Sequence, residues 1–326
     1  MFLDALVTAT PVARIGLGLA AVGRPAYLNL GHAADLPPDR SVQALEARTH
    51  ALLDSAHARG VRYVDAARSY GLAERFLAGW LRSRGADVAD VRVGSKWGYT
   101  YVGGWRLDVD THETKDHSVA TFDRQLAETR ELLGDRLDLY QIHSLTPDSP
   151  ALTDPVLHER LAALAATGVT VGFSTSGPRQ GEAVRAALAI RVGGRPLFGA
   201  VQATWNPLEP SAAGALAEAR AAGLAVVVKE ALANGRLAGR DPDLAAGPLA
   251  RVAAETGATA DAVALAAALH QPWATLVLSG ASTADQLAAN LAAATLRLGP
   301  EQLDRLATLA EPAAEYWRRR TALPWT

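Results

Sequence analysis

Eight short apolar runs, separated by longer stretches rich in Ala and Leu, recur along almost the whole 326-residue chain. They are Arg14–Leu19, Val61–Asp65, Val91–Lys96, Leu137–His143, Val169–Ser174, Gly199–Ala203, Leu224–Lys229 and Thr275–Ser279. Short apolar runs bounded by turn residues fit strands covered on both faces. Between them lie amphipathic helix candidates over Ser41–Arg59, Leu72–Arg84, Ser118–Leu133, Leu152–Thr167 and Ser211–Ala222, with a last one over Pro300–Ala310. Gly60, Gly85, Gly134, Gly168 and Gly223 directly follow the first five. Glycine at such a position takes the left-handed conformation that ends a helix. Strands and helices alternating in this way predict one (β/α)₈ TIM barrel over 1–326, with long loops at the C-terminal face of the strands.

An open doubly wound sheet is the competing layout. Its G-x-G-x-x-G turn begins at Gly16 and Gly18, but Ala21 occupies the third glycine position. The fragment reads more simply as a tight turn. With 49% apolar residues the chain can bury a large core, and a net charge of −2 without a Lys/Arg stripe argues against a nucleic-acid partner. The absence of cysteine excludes disulfides, thiolate metal sites and Cys nucleophiles. Asp4 and Arg14 spoil the start as an export signal, and no apolar run approaches the roughly 20 residues of a membrane span. A soluble cytoplasmic protein is expected.

Reactive groups of such barrels sit at the carboxyl ends of the strands. Asp65 ends the second run, Lys96 the third and His143 the fourth, and Tyr70 follows Asp65 in the same loop. Singly, each has a plain role: a helix cap, a packing aromatic, a lysine reaching solvent, a core histidine. Together they make a proton-transfer set. An ammonium beside a phenol stabilises the phenolate and lowers a pKa that is ordinarily about 10. Asp65 can hold Lys96 in place, Tyr70 can serve as general acid, and His143 can orient a carbonyl oxygen.

These residues, within VDAARSYG, VGSKWG and LDLYQIHSLTPD, resemble the aldo-keto reductase family. The likeness continues through GFSTS, VQATWNPLEP and LSGASTADQLAAN, in the family's order. It implies hydride transfer between NADP(H), or NAD(H), and an aldehyde, ketone or sugar carbonyl, with Asp65, Tyr70, Lys96 and His143 catalytic. It places Ser174, Thr175 and Gln202 at the nicotinamide amide and Trp205 against the ring. It places Gly280, Ser282, Thr283, Gln286 and Asn290 at the adenosine end. The cofactor preference stays open, because the late loop reads Gly-Ala-Ser-Thr, and Gln286 stands where the family often has Arg. Lys229 and Glu230 replace the family's aromatic-Ser-Pro-Leu run; Arg236 serves either a diphosphate or the surface.

The insertion over about 97–117 offers Trp97, Tyr99 and Trp105 as substrate-pocket walls, with a tail over about 311–326 closing from the other side. The spacing of THETKDH matches no strong zinc pattern, so no metal is expected. The resemblance further implies a small-molecule carbonyl partner and a monomer or weak homo-oligomer. Two other readings stand beside the main one: a cofactor-binding regulatory subunit with little turnover, and a metal-dependent barrel hydrolase.

Overall fold

The computed structural model describes Leu3, residues 8–36 and residues 38–326. The segment around Asp4, which bears on the export signal, lies outside the described residues. Eight strands close a parallel barrel in sequence order: β1 (Ile15–Gly18), β2 (Tyr63–Asp65), β3 (Arg92–Trp97), β4 (Leu139–Leu145), β5 (Thr170–Thr175), β6 (Ala200–Thr204), β7 (Ala225–Lys229) and β8 (Leu276–Ser279). Each lies within two residues of an expected run. The chain therefore forms the (β/α)₈ TIM barrel that the alternation predicts.

Helices α1 (Val42–Ala58), α2 (Ala73–Arg84), α3 (Val119–Leu133), α4 (Pro155–Ala165), α5 (Gln180–Leu188) and α6 (Ala213–Ala221) follow β1 to β6. After β7 come α7 (Pro248–Thr256) and α8 (Ala260–Leu269), and after β8 come α9 (Ala284–Leu291), α10 (Pro300–Ala307) and α11 (Ala313–Thr321). Ser41 and Ser118 cap α1 and α3 through their hydroxyls. Helix α11 lies within the tail expected over about 311–326. Among the described residues no single helix is long and apolar enough to cross a membrane.

Side chains along a strand alternate between the lumen and the helical shell. Tyr63, Leu139, Ala200, Ala225, Val227, Leu276 and Leu278 form one buried cluster inside the barrel, which Leu3 joins. Residues of the opposite parity, such as Val64, Val93, Val201 and Val228, join the larger cluster that includes the helices. Glycines make room for the lumen's largest ring. A Cβ on Gly94 would lie 2.1 Å from the Tyr63 hydroxyl, and one on Gly16 would lie 2.8 Å from its ring. The Gly94→Ala variant is expected to lose about 1–3 kcal/mol of stability by overpacking, measured as the shift in urea unfolding.

Candidate active site

The same alternation that fills the lumen places polar residues one step further along each strand. Asp65 follows Tyr63 by two residues, Lys96 follows Gly94, Gln141 follows Leu139, Ser174 follows Gly172, and Gln202 follows Ala200. All five are buried and end on the inner face, one layer above the apolar plug. Parallel pairing keeps them level: Lys96 opposes Gln141, and Ser174 opposes Gln202. Residues of opposite parity cannot join them.

Lys96 is fully buried and its ammonium makes three contacts. It donates to the Asp65 carboxylate, to the carbonyl of Ala66 at 2.9 Å and to the Tyr70 hydroxyl at 3.2 Å. The other Asp65 oxygen accepts from the Gln202 amide at 3.0 Å and from the Tyr63 hydroxyl at 3.4 Å. The carboxylate is thus held from the barrel floor and wall at once. The His143 ring meets the Tyr70 ring edge-on, with centroids 5.6 Å apart, and its Nδ1 lies 3.5 Å from the Ser69 hydroxyl. The four residues expected to act together are brought together.

Their electrostatics differ from the sequence expectation in one respect. Lys96 was expected to lower the Tyr70 phenol. Instead, burial and the Asp65 carboxylate hold it well above its ordinary value, and Arg24 offsets this only in part. Lys96 touches the phenol, but burial and the Asp65 carboxylate outweigh it. Burial and the surrounding cations, Lys96 first, hold His143 well below its ordinary value, so its imidazole is neutral. His117 supports it from behind: its Nε2–H donates to the His143 carbonyl at 2.8 Å, and its Nδ1 accepts from Ser149 at 2.7 Å. Two non-glycine residues with left-handed backbone flank the site, Ser144 (φ 55°) after His143 and Glu230 (φ 54°) after Lys229. Such strain persists only where the surroundings impose it. Here Ser144 donates its N–H to Ser174, and Arg320 grips Glu230.

A cavity of about 480 Å³ opens above this layer. Asp65, Tyr70, Tyr99 and His143 line one end; Gly280, Gln286 and Asn290 also line it. Part of its polar wall, Arg24 and Glu113, comes from residues that the sequence did not single out as lining. Arg24 is buried, donates to the Ser69 carbonyl at 2.8 Å and to Glu113 at 2.5 Å, and stacks near the Tyr70 and Trp325 rings. Trp325 in turn stacks on His112 at 4.2 Å, which brings the insertion and the tail together at this end.

Tyr99 alone of the three proposed wall aromatics lines the cavity, on a short hairpin pairing Tyr99–Tyr101 with Glu113–Lys115. Trp97 is the last residue of β3 and has shell parity, so it packs on Phe122 and His117 instead. Trp105 turns outward, packs against Phe76 and donates to the Arg40 carbonyl at 2.8 Å.

Among the residues assigned to a cofactor, Gln202, Gly280, Gln286 and Asn290 line the cavity. Ser174 is buried beside it and accepts from Ser144. Thr175 has shell parity and donates to Gln180 on α5. Trp205 does too: it packs on Trp273, away from the cavity, and cannot stack on a ring there. Lys229 holds the lumen position at the end of β7 and lines the cavity with Gln202 and Tyr70. Ser282 donates to Gln286, and Thr283 caps α9, so both shape the loop around Gly280. Arg236 is buried against Asp241 and Glu311, serving neither role considered for it. Arg48, on α1, reaches the Ser282 carbonyl at 3.0 Å, a long-range contact that no motif signals.

The cavity fits an adenine dinucleotide on one independent observation. The Asn290 side-chain oxygen is buried without a hydrogen-bond partner while its amide donates to Ser279, leaving an acceptor for an amino group. Across the groove, Asn234 donates to the Leu28 carbonyl at 2.9 Å, and Arg240 pairs with Asp35 at 2.6 Å, joining the loops after β7 and β1.

The sequence model of the Aldo/keto reductase family matches residues 14–311. Among solved structures, the chain is similar to an aldo-keto reductase from Bacillus halodurans in its holo form, at 22% identity and a TM-score of 0.69, covering 92% of this chain and 93% of that one. It is also similar to a putative aldo-keto reductase from Pseudomonas aeruginosa, at 22% identity and a TM-score of 0.61, covering 86% and 89%. No curated protein matches the chain.

Lys96→Met would leave Asp65 buried without its cation. The expected cost is about 3–5 kcal/mol, read from chemical unfolding. Unchanged stability would show that the carboxylate does not need the ammonium.

Proposed function

The chain belongs to the aldo/keto reductase family, whose members are oxidoreductases acting on carbonyl groups with nicotinamide cofactors, and from this premise we propose that it transfers hydride reversibly between NADP(H) and a small polar carbonyl, with Tyr70 as proton donor. The contact of the Lys96 ammonium with both Asp65 and the Tyr70 hydroxyl, at the cavity wall, carries the reading.

Gln202, Ser174, Gly280, Gln286 and Asn290 would hold the cofactor, which supplies or takes up the hydride when bound. The protein's part is to place the carbonyl and manage its proton. As charge grows on the carbonyl oxygen, the Tyr70 O–H and the neutral His143 ring can both donate to it. Donors fixed in advance stabilise that charge more than they stabilise the ground state. The raised phenol keeps its proton through the neutral range, and the alkoxide that forms is the stronger base, so transfer from Tyr70 runs downhill. Lys96 then faces the phenolate it leaves. Arg24 and Glu113 favour a carbonyl substrate bearing further oxygens over a purely apolar one.

Arg48 supports the phosphorylated cofactor. Its guanidinium donates to the main-chain carbonyls of Ser282 and Asp35, which leaves its charge beside the loop near the adenosine end.

Tyr70→Phe should lower turnover of a test aldehyde about 100-fold or more while cofactor still quenches tryptophan fluorescence. Full activity would remove Tyr70 as donor; quenching by the wild type without turnover on any carbonyl would favour a regulatory subunit. Arg48→Ala should weaken NADPH binding about tenfold, as expected for loss of a charged partner, and leave NADH unchanged. Equal effects on the two would sink the 2′-phosphate assignment.

A further inference from the structure

The cavity pairs its charges almost completely. Asp65 answers Lys96, Glu113 answers Arg24, and Glu230 takes three contacts of 2.5–3.0 Å from Arg320. Glu230 also accepts from Thr204 at 3.1 Å. Lys229 shares Glu230 with Arg320, so two cations there meet one carboxylate. Its ammonium donates to the Thr204 hydroxyl at 2.8 Å and stands 3.4 Å from Glu230, whose charge Arg320 already answers. Thr204 lies two residues beyond Gln202 on the inner face of β6, directly opposite Lys229. The amine therefore sits on the wall shared with the residues expected to grip the nicotinamide amide, where Trp205 does not reach. Its charge is felt across the pocket, contributing to the depression of His143.

A nicotinamide ring is positively charged when oxidised and neutral when reduced. A fixed cation on its wall repels the first and leaves the second alone. We propose that Lys229 sets the redox preference of the site, making the protein bind the reduced cofactor more tightly than the oxidised one and so biasing it towards carbonyl reduction. This rests on the reading of the cavity as a nicotinamide site.

Lys229 is itself faced by Glu230 on its own loop, Thr204 on β6, Lys96 on β3, His143 on β4, and Arg320 and Trp317 on α11. Burial is the leading cause that pushes its amine down to about 8. Its charge is present at pH 7 and lost above that value. Tyr70 and His143 do not change state in the same interval, because one is raised well above 10 and the other lowered well below 6.5.

The test is the ratio of dissociation constants for NADP+ and NADPH, from tryptophan quenching of the full chain at pH 7 and pH 9.5. In the wild type the ratio should exceed that of Lys229→Met about tenfold at pH 7, as Coulomb repulsion over several ångströms implies. At pH 9.5 the two proteins should converge. Lys229→Arg should keep the high ratio at both pH values. Wild-type and Met ratios that agree at pH 7, with both forms bound, would overturn the proposal. Failure of the wild type to bind either form would instead overturn the cofactor reading on which it rests.

Discussion

The buried pair between Lys96 and Asp65 is the contact on which the rest of the site depends. Neither partner reaches solvent to any useful degree, and a lone charge there would be costly to keep. The barrel meets that demand from several strands at once. Tyr63 and Gln202 donate to the carboxylate, and the Ala66 carbonyl accepts from the ammonium. The phenol of Tyr70 then enters an arrangement already balanced. This is why its proton is held firmly rather than loosened: burial dominates, and the Asp65 carboxylate adds to it. The chemistry that follows is that of a retained proton with a strong acceptor, not of an easily ionised phenol.

Much of this was legible in the sequence because strand ends are both chemically and geometrically marked. Asp65, Lys96 and His143 terminate apolar runs, and a parallel barrel gathers such termini on one face. Three of the missed assignments share one cause. Trp97, Thr175 and Trp205 lie one residue away from lumen positions, at Lys96, Ser174 and Thr204, so the alternation turns them into the shell. Counting in twos from Gly94, Gly172 and Ala200 would have separated them, and would have brought Lys229 forward in the same step. Trp105 is a different case, since it sits in an irregular loop where no period applies. Helix α11 was hidden because its buried residues, Tyr316 and Trp317, are few and its remaining surface is charged. Arg24 and Arg48 had no local signal; their partners lie 45 and 89 residues away in one case and 13 and 234 in the other.

The walls of the cavity show how much of a site can be supplied by connections rather than strands. The insertion after β3 contributes Tyr99, Glu113 and the ring under Trp325. The loop after β7 contributes Glu230, held in a left-handed conformation by α11, and it meets the loop after β1 through Asn234 and Arg240. Loops so interlocked carry function on a rigid frame, and each depends on an element distant in the chain.

The alternation along each strand gives the barrel a kind of addressing. Whether a side chain meets the reacting groups or the surrounding oil is decided by whether its position is odd or even within its strand. A single residue inserted into β7 ahead of its end would carry Val228 to the lumen in place of Lys229, with no reactive residue having been replaced. Strand length, counted from the glycine-bearing floor to the rim, is thus as much a part of this site as the identities of the residues that end there.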